Sequence, residues 1–181
     1  MSRIQPVNQN NADAKTTDLL AGVEKKMGRV PNLIATMANS PAVAQAYLGF
    51  SQTLSTGLLP ARLREQLALV VGETNNCDYC VAAHTALGKG AGLTEAGTLE
   101  ARQAAVQDER ERAALRFAQS IVKERGWVSD DEVRQVREAG YNDGEIAEIV
   151  AHVALNLFTN YFNHVAGTDV DFPAAPKLAI V

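Results

Sequence analysis

Helix-start signals recur along this 181-residue chain and limit its fold more than any other feature. Each signal is a side chain that can cap free backbone amides, or a proline whose fixed φ angle suits the first helical turn. Two of them have a glutamate three positions on, which is the spacing of a capping box. The signals are Pro31, Ser40-Pro41, Pro60, Ser129 with Glu132, and Asn142 with Glu145.

These signals predict an all-α fold with about nine helices and no sheet. Alanine, 29 of the 181 residues, favours this fold because it is the best helix former and lets helices approach closely. The β-branched pair Val70-Val71 is too short to indicate a strand. The predicted helices span about residues 17–27, 31–38, 41–55, 60–74, 78–90, 94–104, 108–125, 129–139 and 143–165.

The length and composition predict a single domain over residues 1–181. About residues 1–15 and 168–181 are expected to form extended arms. The net charge of −4, without a basic run, argues against a nucleic-acid or anionic-membrane partner. The sequence has no visible secretory signal or long apolar stretch, so we expect a soluble, cytoplasmic protein.

The last predicted helix is amphipathic. Its apolar stripe holds Ile146, Ile149, Val150, Val153, Leu157 and Tyr161. Its other side carries Glu145, Glu148, His152, Asn156, Thr159 and Asn163. We expect this polar side to face solvent, with a subunit contact as the alternative.

The two cysteines of the chain, Cys77 and Cys80, are separated by two residues. A disulfide that closes so short a loop adds little stability, which favours a chemical over a scaffolding role. Cys77, Cys80 and His84 fall on one helical face. The preceding Asn75-Asn76 breaks a helix and places Cys77 at or near the next helix N-terminus, where free amides favour a thiolate.

The spacing of these residues also suggests their roles. Cys80 lies four residues before His84, so the imidazole can take the thiol proton, which makes Cys80 the candidate nucleophile and Cys77 the resolving thiol. Glu65 lies among small and apolar residues on its helix. We expect its carboxylate to be largely desolvated and to share a proton with a partner such as His84. Pairing with Arg62 at the surface is the alternative.

Other interpretations of the cysteine pair remain open. Zinc binding by the cysteines and His84 needs a fourth ligand, from His152, His164 or a carboxylate. The pair as two small buried hydrophobic residues is the plainest alternative. A thioredoxin-like domain needs strands, and c-type haem attachment needs a histidine where Val81 stands.

The four positions Glu65, Cys77, Cys80 and His84 resemble the core pattern of AhpD-like alkylhydroperoxidases in the carboxymuconolactone decarboxylase superfamily. That pattern is a glutamate twelve residues before a C-x-x-C, which is followed by x-x-x-His. The match covers about residues 60–92, and the segment NYFNHVAGTDVDFP is similar to the end of the longer peroxidase-related members.

The resemblance implies an all-α AhpD-like fold, an obligate homo-oligomer and thiol-dependent reduction of hydroperoxides. By position, Cys80 is the peroxidatic thiol, Cys77 is the resolving thiol, and His84 and Glu65 relay protons. The implied reductant is a dithiol, of the lipoyl type in this family, and neither a cofactor nor a metal is expected.

The chain departs from the best-known branch of the family at Tyr79, where that branch has a histidine that joins the relay. Tyrosine shuttles protons poorly at neutral pH, which implies a shorter relay or a weaker activity. One alternative function is a lactone enzyme of the carboxymuconolactone decarboxylase type, a branch that works without the cysteine pair. The other is a non-catalytic redox-sensing or zinc-binding oligomeric module.

Overall fold

The computed structural model describes residues 2–8 and 11–178. Within those ranges the chain forms nine helices and no strand, which confirms the predicted all-α fold. The helices are α1 (Ala14–Met27), α2 (Asn32–Met37), α3 (Pro41–Leu54), α4 (Ala61–Thr74), α5 (Asp78–Gly90), α6 (Glu95–Arg102), α7 (Glu109–Lys123), α8 (Asp130–Glu138) and α9 (Asp143–Ala166).

The two predicted capping boxes are present. Ser129 and Glu132 form one at the start of α8, where the serine hydroxyl accepts from the Glu132 amide and the glutamate accepts from the Ser129 amide. Asn142 and Glu145 form the second at the start of α9. These signals are predictable because every contact lies within one turn of the chain.

Three other start signals differ in detail from the prediction. Pro31 and Pro60 have extended ψ angles of 146° and 150°, so each lies at the N-cap rather than inside the helix. Pro41 does occupy the first turn of α3, but the Ser40 side chain makes no capping hydrogen bond. Helix α1 begins at Ala14, before the predicted start near residue 17, because the Asp13 carboxylate caps the Thr16 amide.

Helix α4 lies at the centre of the fold and contacts α5, α6, α7 and α9. Its aliphatic residues Leu63, Leu67, Leu69 and Val70 are buried in the main hydrophobic core. A helix covered on nearly every side holds its few polar side chains in fixed surroundings, which makes α4 a rigid platform for Glu65.

The prediction that the polar side of α9 faces solvent is wrong. His152, Asn156, Thr159 and Asn163 are each about 5% exposed, whereas Tyr161 of the apolar stripe is 57% exposed. The reason is tertiary: α9 packs against α3, α4, α5 and α7, and its polar side faces the interior that these helices enclose. A buried polar side chain needs a partner, so this side of the helix is a candidate for function.

Glu148, also on the polar side of α9, connects that helix to the residues that precede α4. Its carboxylate accepts the backbone amides of Leu58 and Leu59 at 2.7 and 3.0 Å. A side chain at Gly57 would meet this carboxylate, since a Cβ there would lie 2.5 Å from Oε2. The contact fixes the start of α4 against α9.

The chain after α9 turns back over the cysteine-bearing end of α5. Asp171 in this segment bonds the Asn32 amide and Arg29 at 3.0 Å. Phe172 packs against the cluster that contains both cysteines. We call residues 168–178 the C-terminal tail.

No described helix is long and apolar enough to cross a membrane.

Candidate active site

The cysteine pair lies at the start of α5, as predicted. Cys77 is the N-cap residue and Cys80 lies in the first turn, and the two are joined by a disulfide. Asn76 adopts a φ of 55°, which reverses the chain between α4 and α5. The Cys77 sulfur lies 3.4 Å from the backbone nitrogen of Cys80, which donates to it. The sulfur atoms therefore lie where free helix amides stabilise negative charge.

Glu65 and His84 form the predicted pair across α4 and α5. The Glu65 Oε2 and His84 Nδ1 atoms are 2.8 Å apart. An ionised carboxylate can only accept, so Nδ1 donates and Nε2 is left to exchange a proton. Both side chains are 23% exposed, so the desolvation expected for Glu65 is partial. Arg62 pairs with Glu111 instead, which removes the surface alternative for Glu65.

The predicted hydrogen bond between Cys80 and His84 is not formed in this disulfide form. Asn163 donates to Cys80 instead. The hydrogen bond to Cys80 Sγ comes from the Asn163 Nδ2 atom at 3.3 Å, and the same amide lies 3.9 Å from Cys77 Sγ. His84 lies one helical turn after Cys80, on the same side of α5. Three side chains near the disulfide thus come from three helices: Glu65 from α4, His84 from α5 and Asn163 from α9.

The sequence analysis missed Asn163 as a site residue. Its signal was present, because residues 152, 156, 159 and 163 repeat at intervals of four, three and four, the spacing of a buried helix face. Polar side chains at that spacing indicate a buried polar site as readily as a solvated surface.

Two cavities lie beside α5. The first, which we call the His84 cavity, has a volume of about 160 Å³ and lies between α3, α4, α5 and α9. The second, the Cys77 groove, has a volume of about 590 Å³ and runs between α5, α6 and the C-terminal tail. The His84 cavity is lined by residues that include Tyr47, Arg64, Glu65, His84, His152 and Asn156. The Cys77 groove is lined by residues that include Cys77, Val81, Arg102, Phe172 and Pro176.

Both cysteines are buried, and Cys77 lines one of these cavities. Cys77 and Cys80 are only 1% and 2% exposed. Cys77 lines the Cys77 groove. His84, one helical turn after Cys80 on α5, lines the His84 cavity. The Cys77 groove thus reaches the disulfide at Cys77, whereas neither cysteine lines the His84 cavity.

A model of the carboxymuconolactone decarboxylase family matches residues 41–120, a range that holds Glu65, both cysteines and His84. The match spans 80 of the 181 residues. An alkyl hydroperoxide reductase of Mycobacterium tuberculosis is 27% identical over 96 residues, which is 52% of this chain and 28% of the reductase. The chain therefore matches little more than a quarter of the length of that curated relative.

Several solved structures share the fold over most of the chain. An uncharacterized peroxidase-related protein of Ralstonia eutropha, described as an alkylhydroperoxidase AhpD core, has a TM-score of 0.85 at 24% identity, with 94% of this chain and 92% of that chain covered. A debrominase in complex with 2,3,4-tribromopyrrole has a TM-score of 0.80 at 21% identity, with 94% and 92% covered. The AhpD-like fold is thus confirmed.

Tyr79 has a structural role in this protein. Its phenol donates to the Asp171 carboxylate at 2.8 Å and accepts the buried Leu33 amide at 3.1 Å. Its ring packs edge-on against Phe172 with centroids 5.7 Å apart. Burial strongly raises the pKa of Tyr79, so the phenol stays protonated. The residue fastens the tail to α2 and α5.

Substituting Tyr79→Phe is expected to loosen the tail and spare the chemistry. The Leu33 amide loses its acceptor and Asp171 loses a donor, at a cost of about 1–3 kcal/mol in the free energy of unfolding. Urea denaturation and steady-state turnover measure the two effects on the same protein. A large drop in kcat with unchanged stability would contradict this structural role.

The structure gives no support to a metal site in the part of the chain that it describes. No group of three or more histidine, cysteine or acidic side chains is placed to hold a metal ion there. Both cysteines are taken up in the disulfide. His164, one of the proposed fourth ligands, is exposed, while His152 lines the His84 cavity.

Proposed function

We propose that this protein is a thiol-dependent peroxidase that reduces hydroperoxides through a Cys77–Cys80 disulfide cycle. The observation that carries the proposal is the buried cysteine pair at a helix N-terminus with the Glu65–His84 pair, 2.8 Å between its atoms, one turn away. The curated alkyl hydroperoxide reductase supports the same chemistry.

The first half of the cycle oxidises Cys80. The Cys80 thiolate attacks the terminal oxygen of the hydroperoxide, the O–O bond breaks, and the alcohol leaves with a proton from His84. Cys80 becomes a sulfenic acid. Cys77 then attacks the Cys80 sulfur, water leaves, and the disulfide forms. Glu65 holds the imidazole through Nδ1 and stabilises it while the proton is on the ring.

The second half needs a dithiol donor, and we place its approach at the Cys77 groove. A donor thiolate attacks Cys77, the S–S bond breaks, and the electron pair goes to Cys80. The second donor thiol then releases Cys77 and leaves as a disulfide. Lipoyl-type donors fit this role, and a reducing compartment such as the cytoplasm suits the cycle.

Asn163 favours this direction of electron flow. Its amide donates to Cys80 at 3.3 Å and lies farther, at 3.9 Å, from Cys77. A donor hydrogen bond stabilises the thiolate form, so Cys80 is the better nucleophile toward peroxide and the better leaving group toward the donor thiol.

Replacing this amide, Asn163→Leu, is expected to move the pH midpoint of Cys80 alkylation upward by about one to two units, the equivalent of a lost hydrogen bond to a charged group. The measurement is iodoacetamide labelling of the reduced protein followed by peptide mass spectrometry. Asn160→Leu is the matched control, since Asn160 is buried on the same helix and bonds Asn75. Equal shifts of the alkylation midpoint in both variants would show that Asn163 has no specific effect on Cys80.

We also propose that the active form is a homo-oligomer. In the isolated chain, α9 exposes an apolar stripe of Val150, Phe158, Tyr161 and Val165. Exposed apolar surface on one helix face is typical of subunit contacts. Light scattering at micromolar concentration is expected to give a mass above one chain, and Tyr161→Glu to lower it. A monomeric parent protein would contradict the proposal.

The experiment that tests the function is steady-state turnover of tert-butyl and cumene hydroperoxides with dihydrolipoamide, dithiothreitol or glutathione as donor. The proposal expects turnover with dithiols and little with glutathione. A disulfide that the dithiols reduce, together with no turnover of either hydroperoxide, would instead favour a redox-sensing module. Turnover that persists in a Cys77/Cys80 double variant would show that the reaction does not depend on the cysteines.

A further inference from the structure

The His84 cavity contains an unpaired cation. The Arg64 guanidinium donates to the Leu59 carbonyl through Nη1 at 2.7 Å. Across residues 2–8 and 11–178, no carboxylate lies within ion-pair distance of it, whereas Arg62 on the same helix pairs with Glu111 and Arg102 pairs with Glu73. An unpaired charge at a partly buried position costs free energy that a ligand of opposite charge recovers.

A buried histidine on the α9 side of the same cavity also lacks a partner. His152 is about 5% exposed, and its Nε2 atom has no hydrogen-bond partner in the described part of the chain. Burial lowers the pKa of His152, and the positive charge of Arg64 lowers it further. The Glu148 and Glu65 carboxylates act in the opposite direction but do not reverse the shift, so the ring is neutral near pH 7. A neutral imidazole keeps one N–H donor available to a ligand.

The opposite side of the cavity carries the reactive groups. Glu65 and His84 line it, with the Glu65 Oε2 and His84 Nδ1 atoms 2.8 Å apart. Cys80 lies one turn before His84 on α5, so a molecule that reaches His84 is close to the sulfur. The cavity thus joins an anion-attracting side to the chemical site.

We propose that Arg64 and His152 bind the carboxylate of a short hydroperoxide and direct its peroxide group toward His84. The inference rests on the proposed peroxidase function and specifies its substrate class. The volume of about 160 Å³ supports a short carbon chain. Sites for drug-sized ligands occupy roughly 300–1,000 Å³.

The binding test uses isovalerate, a small unreactive carboxylate, titrated into the disulfide form by calorimetry. Isovaleramide, its neutral isostere, is the ligand control. Arg64→Gln is expected to weaken isovalerate binding by about 10- to 100-fold, the effect of a lost hydrogen bond to a charged group. Arg64→Lys, which keeps the charge, should give an intermediate affinity. Arg62→Gln is the matched control on the same helix and should bind as the parent does.

The kinetic test compares two hydroperoxides that differ by one charge. The substrate with the carboxylate is the hydroperoxide of isovalerate, which is tert-butyl hydroperoxide with a carboxylate on one methyl group. The ratio of kcat/KM for the charged over the neutral substrate is expected to exceed one in the parent and to fall in Arg64→Gln, mainly through KM.

The two arms separate this inference from the proposed function. Turnover of both hydroperoxides without isovalerate binding, and with a ratio near one, would overturn the carboxylate site and leave the peroxidase intact. Isovalerate binding that depends on Arg64, with no hydroperoxide turnover, would support the anion site and reject the peroxidase. A parent protein that binds isovalerate and isovaleramide equally would also overturn the carboxylate site.

Discussion

Replacing Cys80 with serine is expected to abolish hydroperoxide turnover, because serine keeps the side-chain shape but offers no thiolate for the O–O bond. The reduced Cys77→Ser variant should still consume one equivalent of hydroperoxide, since only the resolving thiol is missing, and then stop as a Cys80 sulfenic acid. Stopped-flow measurement of peroxide consumption distinguishes the two variants.

The two serine variants control for each other. Both lose the Cys77–Cys80 disulfide, so a difference between them cannot arise from losing that bridge. Circular dichroism should give the same helical content for both. If Cys80→Ser consumes hydroperoxide and Cys77→Ser does not, the roles of the cysteines are reversed.

Substituting Glu65→Gln is expected to lower the rate of Cys80 oxidation by about 10- to 1000-fold, the scale of a lost acid/base partner. Glutamine keeps the volume and one hydrogen bond to His84, but its neutral amide cannot stabilise a protonated imidazole. The pH midpoint of Cys80 alkylation should also rise, because the thiolate loses a proton acceptor that is coupled to His84.

Glu111→Gln is the matched control for this substitution. Glu111 is a carboxylate that pairs with α4 through Arg62 and Gln66. Its loss should affect stability and leave the oxidation rate close to that of the parent. A Glu65→Gln variant that reacts like the parent from about pH 6 to 9 would make Glu65 a structural carboxylate and leave the proton relay to other residues.

The sequence predicted the helices well because their signals are local. The capping boxes at Ser129 and Asn142 formed as expected, and the α4–α5 break at Asn75-Asn76 placed Cys77 at a helix N-terminus. Glu65 and His84 also met as predicted, since both belong to one spaced motif on adjacent helices.

The sequence-based prediction failed where contacts between distant parts of the chain decide whether a side chain is buried. The polar side of α9 has the pattern of a solvated surface, yet Asn163 contacts a sulfur and His152 lines a cavity. Periodicity identifies a face of a helix without saying what covers it. The bond from Tyr79 to Asp171 joins residues 92 positions apart, and no local pattern predicts such a contact.

Chemical trapping of Cys80 tests the central claim most directly. Reduced Cys77→Ser protein is mixed anaerobically with one equivalent of tert-butyl hydroperoxide and dimedone, and the modified peptide is identified by mass spectrometry. The account predicts one dimedone adduct, on Cys80, that forms together with one equivalent of tert-butanol. Hydroperoxide that survives unreacted, with Cys80 still a free thiol, would contradict it.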